Sequence, residues 1–125
     1  MTRNTLIAIV DDDPSYREAT DNLLQAAGFA TATFTDAESF LGSTRRRGAA
    51  CVVTDMRMPG LSGLEMHREL VAKGEKIPTV LMTAFAEEGL RAAARKAGIV
   101  CCLDKPFAPD ELLECVHKAL GPRPA

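Results

Sequence analysis

Five polar residues stand where short apolar segments end, and together they could do phosphoryl chemistry. Asp11 and Asp12 follow Leu6-Ile7-Ala8-Ile9-Val10, and Asp55 follows Cys51-Val52-Val53-Thr54. Thr83 follows Ile77-Pro78-Thr79-Val80-Leu81-Met82, and Lys105 comes just after Ile99-Val100-Cys101-Cys102-Leu103. An isolated acid in a turn is ordinarily a helix cap or a solvated side chain; the whole set together carries the reading. Three carboxylates and one ammonium sum to a formal charge of −2. At an effective dielectric near 20, each carboxylate pair 4 Å apart costs about 4 kcal/mol. A hard divalent cation relieves that repulsion, and Mg²⁺ suits one or two carboxylates, a carbonyl and waters. The same pocket suits a phosphoryl group. Attack of Asp55 on phosphorus converts a charge of −1 into about −2, which the metal and Lys105 must hold. The Thr83 hydroxyl can donate one further hydrogen bond to the new oxygens. Positioning and charge neutralisation are what this chemistry most needs.

Residues so far apart in sequence meet only if the segments before them lie side by side. The chain alternates apolar runs with amphipathic stretches, the pattern of successive strand–helix units. Leu6 to Val10 is apolar throughout, as a central parallel strand buried on both faces should be. Pro14 opens a helix with Tyr16, Ala19, Leu23, Leu24 and Ala27 at helical spacing, and Gly28 stops it. Ala30 to Phe34 is the second strand, and Asp36 caps a helix containing Ala37, Phe40 and Leu41. Strands are expected over 51–54, 77–82 and 99–103, with helices over 64–73, 87–97 and from about Pro109. Right-handed crossovers then give a five-stranded parallel sheet with five helices on both faces. Sites in open sheets of this kind form at the carboxyl ends of the strands, where these five residues stand.

The remaining composition narrows the class. The 125 residues suffice for one domain, expected over 1–120, with Gly121-Pro122-Arg123-Pro124-Ala125 as a tail or the start of a linker. Fifteen Lys and Arg against seventeen Asp and Glu argue against direct nucleic-acid or membrane-surface binding. With no apolar run of membrane-span or signal-peptide length, the expectation is a soluble, cytoplasmic domain. Arg45-Arg46-Arg47-Gly48 reads as a solvated loop. Cys51, Cys101, Cys102 and Cys115 lack C-x-x-C spacing and read as small apolar side chains, with Cys101 and Cys102 on opposite faces of a strand. His67 and His117 read as surface histidines, and the methionines as fillers of core gaps or loops. Asp13, the third acid of its run, reads as a cap or solvated residue.

Ile9-Val10-Asp11-Asp12-Asp13, Asp55-Met56-Arg57-Met58-Pro59-Gly60 with Ser62-Gly63, Thr83-Ala84, and Asp104-Lys105-Pro106-Phe107 resemble the receiver domains of two-component response regulators, in wording most like FixJ-type transcription factors. The resemblance spans essentially the whole chain. It implies the flavodoxin-like strand order 2-1-3-4-5 and a phosphorylation-activated switch. It further implies Asp55 as phosphoacceptor from a phosphohistidine on a sensor kinase or phosphotransfer protein, with Mg²⁺ as cofactor. Asp12 is then a direct metal ligand, Asp11 one mainly through water, and Asp55 and the Arg57 backbone carbonyl complete the protein's share. Lys105 ion-pairs with Asp55 or its phosphate, Thr83 closes on the phosphoryl oxygens, and a cis peptide bond precedes Pro106. Such a domain loads and unloads only itself, so it is not read as an enzyme. A phosphorylation-dependent homodimer through the last two helices and fifth strand is a further implication, as is transcriptional output through a domain or partner outside this chain.

Three positions depart from or modulate that pattern. Relatives usually carry Tyr or Phe three residues before the lysine, where this chain has Cys102, so Thr83 and backbone shifts are expected to carry activation. Arg57 and Phe85, two residues after the phosphoacceptor and after Thr83, are expected to hinder water attack on the acyl phosphate. Two other readings compete. One is an aspartyl-phosphate hydrolase with Asp11 and Asp13 as its acid pair; the other is a degenerate interaction module that takes no phosphate.

Overall fold

The computed structural model describes residues 5–84 and 88–121. Its elements alternate as expected: β1 (Leu6–Val10), α1 (Pro14–Ala26), β2 (Ala30–Phe34), α2 (Ala37–Leu41), a 3₁₀ turn (Thr44–Gly48), β3 (Ala49–Asp55), α3 (Gly63–Ala72), β4 (Thr79–Thr83), α4 (Glu88–Ala97), β5 (Cys101–Asp104) and α5 (Pro109–Leu120). The five strands form one parallel sheet in the order β2-β1-β3-β4-β5. Strand alternation sends Ile7, Ile9, Val53, Val80 and Met82 to one face, where Leu24 of α1 and Leu112 and Val116 of α5 cover them. Ala8, Val10 and Val52 point the other way, onto Phe40 of α2 and Met66 and Leu70 of α3. Leu81 extends that second face beneath Ala94 of α4. Both faces of the central strands are thus buried, which is why β1 carries no polar residue. Among the described residues, no helix is long and apolar enough to cross a membrane.

Two strands are shorter at their starts than the apolar runs suggest. Ile99 donates its N–H to the Ala94 carbonyl, which makes it part of the closure of α4, and β5 begins at Cys101. Ile77 is buried, but it precedes Pro78, and β4 begins only at Thr79. The caps follow expectation: Asp13 accepts from Ser15 N at the start of α1, and Asp36 from Ser39 N at the start of α2. Cys101 packs with the α1/α5 face and Cys102 with the α4 face, on opposite sides of β5. All four thiols are free, and burial pushes the Cys51 thiol up to about 12.

Two surface expectations are overturned, both near the amino ends of the strands. His67 is 6% exposed: its Nδ1 lies 2.9 Å from Thr79 Oγ1 and its Nε2 2.8 Å from the Ala97 carbonyl. A carbonyl can only accept, so Nε2 carries the hydrogen. The ring thereby satisfies one of the orphan carbonyls at the end of α4. His117, by contrast, is exposed, beside the ring of Phe29. The arginine run is a 3₁₀ turn rather than a solvated loop. Arg46 makes a two-pronged ion pair with Glu75, each N···O distance 2.9 Å, and donates to the carbonyls of Leu41 and Ser43.

Candidate functional site

Strand register brings the acids level. Val10 pairs with Thr54, so Asp11 stands beside Asp55 at the ends of adjacent strands. Asp55 pairs with Met82 and Thr83 with Asp104, which puts the threonine and the start of the Lys105 loop on the same edge. The Lys105 N–H donates to the Thr83 carbonyl at 2.8 Å and fixes where that loop departs. The peptide bond to Pro106 is cis, as the resemblance implies.

The loop after Asp55 turns into α3 under tight constraint. Gly63, the first residue of that helix, donates to the Met56 carbonyl at 2.9 Å. A Cβ there would meet the Asp55 carbonyl oxygen at 2.5 Å and Leu81 Cδ1 at 2.7 Å, so only glycine lets the helix start this close to the strand end. Gly60 adopts φ +81, and Glu38 of α2 accepts the N–H of Leu61 at 3.1 Å, tethering the loop from the neighbouring helix. Ser62 and Glu65 close a reciprocal cap on α3.

In the site itself, one carboxylate oxygen from each of Asp11, Asp12 and Asp55 lies within 4.8 Å of the others. Asp11 is fully buried and Asp55 is 8% exposed, whereas Asp12 faces solvent. Lys105 Nζ bridges the buried pair, 3.2 Å from Asp11 Oδ2 and 3.2 Å from Asp55 Oδ1. The other oxygen of Asp11 accepts the Asp13 N–H at 2.9 Å, and its backbone carbonyl accepts Arg17 Nη1 at 2.9 Å. Burial pushes the Asp55 carboxyl up from its ordinary range; Lys105 opposes this, and Asp11 adds to it. Burial also works against the Lys105 ammonium, but Asp11 and Asp55 together outweigh it and raise its pKa. One ammonium therefore bridges two buried carboxylates, and among the described residues the third acid, Asp12, makes no ion pair. Such an oxygen-only, net-negative donor set fits a hard divalent cation, with Asp11, Asp12 and Asp55 as the residues able to hold it.

Of the remaining residues, Thr83 is buried on the same edge, and Arg57 is exposed in the loop two residues beyond Asp55. Phe85 lies outside the described residues. Cys102 is half-buried on the α4 side, beside a cavity of about 160 Å³ that Arg91, Ala94, Arg95 and Ile99 also line. Asp13 accepts from Ser15 N and so caps the start of α1. One neighbour of the site escaped the sequence reading. Tyr16, taken as part of the apolar stripe of α1, places its ring centroid 4.0 Å from Lys105 Nζ. Its position one turn beyond the acid run was the only available signal.

A doubly wound sheet with a lysine-bridged acid cluster at its carboxyl edge is an arrangement suited to a phosphoryl-accepting signalling domain. The family description "response regulator receiver domain" matches residues 7–117, and the chain belongs to that family. It is 37% identical over 120 residues to the transcriptional regulatory protein FixJ of Bradyrhizobium diazoefficiens, covering 96% of this chain and 58% of that protein. It is 36% identical over 118 residues to the response regulator protein TodT of Pseudomonas putida, covering 94% of this chain and 52% of that protein. Among solved structures, it matches response regulator StyR with a TM-score of 0.85 at 42% identity, over 94% of this chain and 59% of that one. It matches FixJ-N with a TM-score of 0.86 at 32% identity, over 98% of both chains. The chain thus spans just over half the length of the curated relatives it resembles. Receiver domains are phosphorylation-activated signalling switches, are not generally classed as enzymes, and generally bind Mg²⁺ at their acidic pocket.

Proposed function

We propose that Asp55 accepts a phosphoryl group from a phosphohistidine on a sensor kinase or phosphotransfer protein. A carboxylate oxygen of Asp55 forms the new O–P bond, the P–N bond to the donor imidazole breaks, and its electron pair stays on that nitrogen. The observation that carries this reading is the Lys105 ammonium held 3.2 Å from both buried carboxylates at the strand edge. A cation already seated on the attacking group costs no reorganisation as charge develops. Lys105 then follows the phosphoryl oxygens, and the buried Thr83 hydroxyl closes on them. Asp11, Asp12, Asp55 and the Arg57 backbone carbonyl are the protein groups assigned to Mg²⁺, which when bound neutralises charge on the transferring group. The domain occupies 1–120, with 121–125 leading into a tail or linker.

Loading shifts the domain between two states and changes its partner surface. Cys102 cannot fill the space of an aromatic ring, so Thr83 and the backbone of the β4–α4 loop carry the change toward α4 and β5. Homodimerisation on the α4–β5–α5 surface and transcriptional output through a domain or partner beyond this chain, as in regulators like FixJ, complete the proposal. In this scheme the domain is cytoplasmic, and it catalyses its own loading and dephosphorylation without turning over an external substrate. The experiment is incubation with Mg²⁺ and acetyl phosphate, followed by mapping of the labelled residue and solution mass before and after. Label on Asp55 in the wild type and none in Asp55→Asn is the expected result. Label elsewhere, or turnover that survives Asp55→Asn and fails in Asp11→Asn, overturns it.

A further inference from the structure

The Lys105 ammonium has three N–H bonds, and the two carboxylates account for two of them. Its third neighbour is the face of the Tyr16 ring, 4.0 Å from Nζ to the centroid. An aromatic face attracts a cation at that range, and the attraction grows as water is removed. Little water reaches this one, because the Lys105 side chain is 10% exposed. The ring is itself held. It packs against Phe107 with centroids 6.3 Å apart, and both line a cavity of about 190 Å³ with Ala19, Leu23 and Pro109. Tyr16 also sits in the capped first turn of α1, where Asp13 accepts from Ser15 N and donates its own N–H to Asp11. The six residues from Asp11 to Tyr16 therefore supply a carboxylate, a cap and a ring around one ammonium.

We propose that Tyr16 is a positioning residue for phosphoryl transfer: its ring face holds the Lys105 ammonium between Asp11 and Asp55. This rests on the reading of Asp55 as phosphoacceptor and extends it to a residue outside the acid–threonine–lysine set. The three contacts of the ammonium respond differently when Asp55 is loaded. The hydrogen bond to the Asp55 carboxylate must be remade on the phosphoryl oxygens, whereas attraction to a ring face tolerates a change of direction. A lysine tethered on its ring side stays beside the new charge and does not search for it through solvent. The attraction belongs to the ring rather than the hydroxyl, so phenylalanine preserves it and an aliphatic side chain of similar bulk does not.

Two measurements on the full chain test this. In NMR spectra, the Lys105 ε-methylene protons are expected upfield in the wild type and in Tyr16→Phe, shifted by the ring current, and at ordinary positions in Tyr16→Leu. With acetyl phosphate and Mg²⁺, the initial rate of Asp55 labelling is expected to fall roughly five- to tenfold in Tyr16→Leu and to be rescued in Tyr16→Phe. An unshifted Lys105 methylene in the wild type overturns the contact without any variant having to fold. Wild-type labelling of Asp55 by folded Tyr16→Leu overturns the positioning role alone. A ring-shifted methylene with no label on Asp55 overturns the phosphoacceptor reading, and the positioning role falls with it.

Discussion

The two edges of the sheet handle buried polar groups in opposite ways. At the amino edge of the strands, both ring nitrogens of His67 have partners, in Thr79 and the Ala97 carbonyl. Arg46 there meets Glu75 two-pronged, one cation to one anion. At the carboxyl edge, a single ammonium is shared by two buried acids, and a third acid lies within 4.8 Å. The first edge is closed in the sense that each of these polar groups has its partner. The second is left with surplus negative charge, which costs stability unless something positive arrives. Equal burial thus serves structure at one end and chemistry at the other, and charge balance tells them apart.

Substitutions should therefore change stability with opposite signs at the two edges. The largest effect is expected at His67→Ala. It opens a cavity beneath α4 and removes a hydrogen bond from the Ala97 carbonyl and one from the Thr79 hydroxyl, which keeps the Ile77 carbonyl. A loss of about 3 kcal/mol in urea unfolding follows from the cavity and the lost hydrogen bonds together. A loss near zero would mean that His67 is not the tie between α3, β4 and α4 that its distances describe. Next is Arg46→Met, which keeps an apolar stem but removes the guanidinium contacts to Glu75 and to the carbonyls of Leu41 and Ser43. The ion pair is only partly buried, so about 1–2 kcal/mol is expected, with reduced sensitivity to salt as a second readout.

The carboxyl edge was the more legible one, for a physical reason. Strand ends are marked by the switch from an apolar run to polar residues, and in a parallel sheet all five ends fall on one edge. Asp11, Asp55, Thr83 and Lys105 could be placed together without knowing any side-chain contact. The order 2-1-3-4-5 came from family resemblance, since hydropathy alone does not rank neighbours. His67 and Arg46 were misread because a polar residue's burial depends on partners that spacing does not encode. Thr79 and Ala97 lie 12 and 30 residues from His67, and Glu75 lies 29 from Arg46, beyond the local carbonyls of Leu41 and Ser43. Tyr16 was read correctly as helical and packed, but a helix stripe cannot reveal that its end ring reaches a lysine almost ninety positions later. The starts of β4 and β5 shifted because apolar Ile77 and Ile99 are buried without joining the ladder.

Asp12→Asn sharpens the contrast with a smaller effect of the opposite sign. Asp12 faces solvent, so water screens its repulsion with Asp11 and Asp55 to about 1 kcal/mol in all. In EDTA at low ionic strength the variant is expected to be more stable than wild type by about that amount. Added Mg²⁺ should then stabilise the wild type and do much less for Asp12→Asn, because the variant has lost a ligand. A variant that loses stability in EDTA, or responds fully to Mg²⁺, would show that the acid cluster is not the frustrated site its charge count implies.

The smallest effect is expected at Asp55→Asn, and its pH dependence is the sharper test. Burial, with Asp11 beside it, raises the Asp55 carboxyl above its ordinary range, although Lys105 opposes the shift. The folded state therefore binds that proton more tightly than the unfolded state does. A raised carboxyl costs nothing below the unfolded value near 3.9, and its penalty develops as pH rises through the folded value. In EDTA the asparagine variant should be more stable than wild type at pH 7 by less than about 1 kcal/mol, a modest gain because Lys105 offsets part of the penalty. That gain should shrink as pH falls through the folded value and disappear below the unfolded value near 3.9. A variant whose advantage grows on acidification would carry the opposite sign, that of a carboxylate stabilised by its surroundings, and the edge holding Asp55 would then be as closed as the one holding His67.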